Sequence, residues 1–172
     1  MRRLAIFCLP LIALVAPATA LALRNVQTGD GQLVVQNGSA PRGVPVVTLT
    51  VNGTAIGHVS TGSPDQFDTV VIYDPNNTGG IGASGATDLT RSSPAAQRTK
   101  LVGSDFRFRA AGGIYKIWIY GSGVDVFAVG SGKVTLQGEP DGGNDGRYSL
   151  DGGAWRSLPS VPSDLLTFPV SG

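Results

Sequence analysis

The stretch from Gly112 to Leu158 constrains the fold of this chain more than any other. Runs of β-branched and aromatic residues, Ile114 to Tyr120, Val124 to Val129 and Val134 to Leu136, alternate with glycine-rich breaks at Gly121-Ser122-Gly123 and Gly130-Ser131-Gly132. Branched and aromatic side chains suit a pleated, half-buried surface, whereas glycine supplies the backbone freedom of tight turns. A chain written this way predicts successive antiparallel hairpins. With 25 glycines and modest leucine content, the predicted fold class is all-β. The architecture is an antiparallel β-sandwich or flattened barrel of about eight to ten strands.

The same signals run upstream. Gln32 to Gln36 reads as a strand stopped by Asn37-Gly38, and Val46 to Val51 as a second. Asn52-Gly53 predicts a hairpin turn, because both residues tolerate positive φ, with Thr54 to Ser60 returning as the partner strand. Phe67 to Tyr73 is the next strand, ended by Asp74-Pro75. Residues 76–100 are Gly, Ser, Thr, Asn and Ala with almost no large apolar side chain, and predict a long crossover loop. Phe106-Arg107-Phe108-Arg109 alternates as a half-buried strand does, phenylalanines in and arginines out. Arg147 to Leu150 and Ala154 to Leu158 pair around Asp151-Gly152-Gly153. The tail, 159–172, holds three prolines and Leu165-Leu166, and predicts an extended edge or a frayed end.

Two segments match without a gap when offset by 68 residues, which lays Val46 over Ile114, Gly53 over Gly121 and Gly62 over Gly130. The match predicts an internal repeat of two similar four-stranded halves, about 31–75 and 102–158, whose apolar faces close on each other.

Phe106 to Arg109, Gly121-Ser-Gly-Val-Asp-Val, Val134-Thr-Leu-Gln-Gly and Tyr148-Ser-Leu-Asp-Gly-Gly-Ala-Trp resemble segments of small exported bacterial β-rich proteins of unassigned function. The resemblance covers roughly the C-terminal half. It rests on strand and turn residues and implies no catalytic group.

The N-terminus addresses the chain. Arg2-Arg3 precede an apolar run, Leu4 to Val15, and small-x-small sites follow at Ala18-Thr19-Ala20 and Ala20-Leu21-Ala22. Together they predict a secretory signal peptide over 1–22, since a membrane span needs roughly 20 apolar residues. The expected destination is the cell envelope, the periplasm or the medium, with no membrane span after cleavage and one β domain over 23–158. The single cysteine, Cys8, lies in this leader and does not sit where a lipid-bearing cysteine would. About 150 mature residues suffice for one core without a disulfide. Removing Arg2 and Arg3 leaves eleven basic against twelve acidic residues. No basic run or patch is visible in the sequence, so nucleic acid is not an expected partner.

Few residues offer chemistry. His58 is the single histidine, so a serine hydrolase would have to use it as base. No Gly-x-Ser-x-Gly elbow accompanies it, and it reads as a half-exposed strand residue. Zinc is disfavoured by one histidine and no mature cysteine. Asp141, Asn144 and Asp145 are the candidate calcium ligands, since calcium takes six to eight oxygens. Gly143 and Gly152 stand where further ligands of a calcium loop would, and the group reads equally as turn residues. Tyr115, Trp118, Tyr120, Tyr148 and Trp155 could stack on sugars. Trp118 and Tyr120 share one strand face, with Ile117 and Ile119 on the other. The expected function is a non-catalytic structural or binding protein without a cofactor, its partner a cell-wall or extracellular glycan or a protein. The first alternative is a carbohydrate-binding module using Trp118, Tyr120 and Trp155. The second is a hydrolase using His58.

Overall fold

A computed structural model of the protein describes residues 30–62, 66–91, 97–140 and 146–169. The expected leader and the calcium candidates Asp141, Asn144 and Asp145 fall outside the described residues. Within them the chain is all-β and antiparallel, with eleven strands in one continuous sheet. They are β1 (Gly31–Gly38), β2 (Val47–Ser60), β3 (Asp68–Tyr73), β4 (Ile81–Ser84), β5 (Asp88–Arg91), β6 (Arg98–Gly103), β7 (Asp105–Tyr120), β8 (Val124–Leu136), β9 (Arg147–Leu150), β10 (Arg156–Ser157) and β11 (Leu166–Phe168).

Three long strands, β8, β2 and β7, lie side by side at the centre. Their residues alternate strictly between core and surface, as a period of two requires. The alternation and register kink where Gly53 faces Gly113 on one side and Gly130 on the other. Gly53 and Gly130 hold φ of +149° and +133°. A Cβ on Gly53 would overlap the Val129 carbonyl oxygen, and one on Gly130 would overlap that of Asn52. The strands approach this closely because no side chain stands between them, and there the sheet bends.

The bend divides the sheet into two layers. In the first, the order is β11-β8-β2-β7-β3-β6-β5, using Val47 to Gly53 of β2. In the second it is β10-β9-β1-β8-β2-β7-β4, using Thr54 to Ser60. The end strands β10 and β5 do not pair, so the sheet does not close into a barrel. The inward residues of both layers form a single core: Leu49, Val51, Ile117 and Ile119 from the first meet Val59, Phe106, Phe108 and Val126 from the second. Each fully buried side chain of this size contributes about 1.5–3 kcal/mol.

Several sequence expectations change here. Asn52-Gly53 and Gly130-Ser131-Gly132 are not turns; β2 and β8 run straight through them. Thr54 to Ser60 therefore extends its own strand instead of returning beside it. Gly121-Ser122-Gly123 does turn the chain, between β7 and β8. The 68-residue offset thus lays a mid-strand glycine over a hairpin glycine. Because β2, β7 and β8 each serve both layers, residues 31–75 and 102–158 do not form two separate units. The expected loop 76–100 holds β4 and β5 and the start of β6, tied to the sheet by backbone pairing. Of the two expectations for the tail, the extended edge holds: β11 pairs with β8 and buries Phe168.

Candidate functional site

Each layer turns one face outward, and the sequence candidates divide between the two faces. On β7 of the first layer, Ile117 and Ile119 are fully buried, so Trp118 and Tyr120 point outward, half-buried. Trp118 lies between Thr48 of β2 and Val71 of β3. Tyr120 lies beside Thr69. The turn that follows is held from beneath, where the Ser122 backbone N–H donates to Asp68 Oδ2 at 3.3 Å. Burial pushes the Asp68 carboxyl up to about 6, with the Ser122 N–H opposing the shift. A Cβ on Gly121 would overlap this carboxyl group, so the turn can accept no larger residue there.

The other aromatic candidates are elsewhere. Tyr115 is fully buried, its hydroxyl donating to the Ala111 carbonyl at 2.8 Å and lying 2.8 Å from Thr78 Oγ1. Tyr148 is buried in the second layer. Trp155 sits at the β9–β10 edge of that layer, 46% exposed, with the Arg147 guanidinium 4.8 Å from its ring centroid. The three residues expected to form one stacking surface are thus split. Trp118 and Tyr120 are together, and Trp155 belongs to the opposite layer.

The Trp118 face also carries residues that sequence reasoning missed. One transverse row crosses six strands: Thr167, Lys133, Thr50, Lys116, Tyr73 and Arg98. The next row runs Thr135, Thr48, Trp118, Val71 and Lys100. All three lysines of the chain are therefore on this face, and all are exposed. None of them, nor Arg98, makes an ion pair among the described residues. The sequence shows no basic cluster because the four cations come from β6, β7 and β8, and only the strand register collects them.

His58 lies on the outer face of the second layer. Its Nε2 is 2.6 Å from Asp105 Oδ1, although the Asp105 side chain is 73% exposed. Asp125 and Arg107 flank it on the neighbouring strands. Asp125 Oδ1 accepts the Asn37 backbone N–H at 2.9 Å. An open cleft of about 540 Å³ is lined here by Val34, Ile56, His58, Arg107, Asp125 and Phe127. Among the described residues no serine hydroxyl bonds to His58, and no group of three or more His, Asp or Glu side chains could hold a metal. No described helix is long and apolar enough to cross a membrane.

Comparison of the chain with known protein families, curated proteins and solved structures finds no match.

Proposed function

We propose that the protein is an exported, non-catalytic binding protein that holds a glycan across the outer face of its first layer. The observation that carries this reading is the outward pair Trp118 and Tyr120 above the buried Ile117 and Ile119. Aromatic rings cover the apolar faces of sugars while keeping a polar edge for hydrogen bonds. Around them stand Thr48, Thr50, Thr69 and Thr135, whose hydroxyls both donate and accept and so match sugar hydroxyls. Rigid strands hold all of these groups, which lowers the ordering cost of binding.

A pull-down of the chain from Leu23 onward on insoluble glycans and cell walls, alongside Trp118→Ala, tests the reading. Retention of the wild type, weakened at least about tenfold in a folded Trp118→Ala protein, is the expected result. No retention of folded wild type on any glycan overturns it.

One observation favours a second reading, a hydrolase at the His58 cleft: the short contact between His58 and Asp105 at the edge of a concave site. A base oriented by a carboxylate is the right beginning of a triad. The reading lacks a nucleophile hydrogen-bonded to His58, and its carboxylate lies largely in water. Turnover of ester or glycoside substrates that vanishes in His58→Ala would favour it.

A further inference from the structure

Resting on the glycan reading, we infer that the ligand is an acidic glycan bearing one carboxylate per disaccharide, laid along the row from Lys133 to Arg98. The row alternates hydroxyl and cation: Thr167, Lys133, Thr50, Lys116, Tyr73, Arg98. Every one of these side chains lies on the outer face. Neighbouring strands stand about 4.8 Å apart, so cations on alternate strands recur at about 10 Å. A polysaccharide that alternates a uronate with a neutral sugar presents its carboxylates at nearly that interval, with hydroxyls between them. Its sugar rings would lie over the adjacent row, where Trp118 stands between Thr48 and Val71.

Charge supports the same ligand. Among the described residues of β2, β3, β6, β7, β8 and β11 in this layer, no acid faces outward, since Asp68 is buried beneath the sheet. The four cations Arg98, Lys100, Lys116 and Lys133 therefore meet no acid on these six strands, and the register places Asp88 of β5 opposite Val102 at the far edge. Lysines held about 10 Å apart repel each other weakly at physiological salt, where screening acts over about 8 Å. The arrangement thus costs the fold little, and the field stays available to an anion. A DNA duplex is a poorer fit, because it carries a charge about every 1.7 Å of its axis, far denser than this row.

The test titrates the folded chain with a hyaluronate hexasaccharide, with the same hexasaccharide methyl-esterified at its carboxylates, and with a neutral chito-oligosaccharide. A single-stranded oligothymidylate and a glycerol-phosphate polymer form the two remaining arms. The inference expects hyaluronate to bind at least about tenfold more tightly than its ester, with the difference shrinking as salt rises. It expects Lys116→Gln/Lys133→Gln to abolish the difference while still binding the ester, and Trp118→Ala to weaken both. Equal binding of acid and ester overturns the inference and leaves the glycan reading standing. Binding of neither, with the chito-oligosaccharide also unbound, removes both. Preference for the oligothymidylate or the phosphate polymer over hyaluronate overturns the inference and assigns the face to that polyanion. Circular dichroism of each variant separates lost binding from lost fold.

Discussion

The two outer faces of the sandwich are built on the same three strands and arrange charge differently. On the second layer, one row reads Asp125, His58, Arg107, and His58 meets Asp105 at 2.6 Å. Arg147 is likewise occupied, by Gln36 Oε1 at 3.0 Å and by the Trp155 ring. Acids and bases are interspersed along this row, although Arg107 and Arg109 of β7 and Arg147 and Arg156 of β9 and β10 leave cations in excess on that face as well. On the first layer the corresponding rows read Lys133, Thr50, Lys116 and Thr48, Trp118, Val71, Lys100, with no acid among them. A row of cations without acids, beside the half-buried Trp118 and Tyr120, is the feature on which the proposed site rests.

The comparison breaks most completely at the corner that creates the two faces. Gly53→Ala meets both a positive φ and the Val129 carbonyl, so it should cost more than about 3 kcal/mol and lower or abolish the thermal transition. Gly43→Ala is the control. Its φ is also positive, but nothing lies within 4 Å of the added carbon, and a cost of about 1 kcal/mol is expected.

Asp68 gives a pH-dependent effect of the next size. Its carboxyl is raised from 3.8 to about 6 in the folded protein, so the folded state binds its proton more tightly than the unfolded state does. Stability should then fall as pH rises from about 4 to 6, by at most about 3 kcal/mol, and stay reduced above that range. Asp68→Asn should raise the melting temperature at pH 7.5 and flatten this part of the profile. An unchanged slope would show that the carboxyl is not desolvated.

Smaller effects sharpen the contrast between the faces. Trp155→Ala should cost about 0.5–1 kcal/mol through loss of the Arg147 stack, and leave glycan retention unchanged. His58→Ala should cost less than about 1 kcal/mol, because its contact with the largely exposed Asp105 competes with water, and should also leave retention unchanged.

Much of the alternation in both layers was legible in the sequence. Strict alternation placed Phe106 and Phe108 inside and Arg107 and Arg109 outside, and it put Trp118 and Tyr120 on one face. The glycines were harder to read. A missing Cβ serves a hairpin turn at Gly121 and a close strand crossing at Gly53 equally well, and nothing local separates the two uses. The strands β4 and β5 were invisible for another reason: they are held through backbone pairing to β7 and β6 and carry none of the long apolar runs that mark a central strand. The cationic row was hidden because Arg98, Lys116 and Lys133 are far apart in the chain and meet only through the register. Trp155 went to the other layer because the β9–β10 hairpin pairs with β1, a choice no residue within the hairpin announces.

The most direct test of the account is a map of backbone amide and indole N–H shifts in the folded chain as hyaluronate hexasaccharide is added. The account predicts shifts concentrated at Thr50, Tyr73, Arg98, Lys116, Trp118 and Lys133, with the Trp118 indole N–H among the largest. Shifts gathered instead around Val34, Ile56, His58 and Arg107, or no shifts at all, would contradict it.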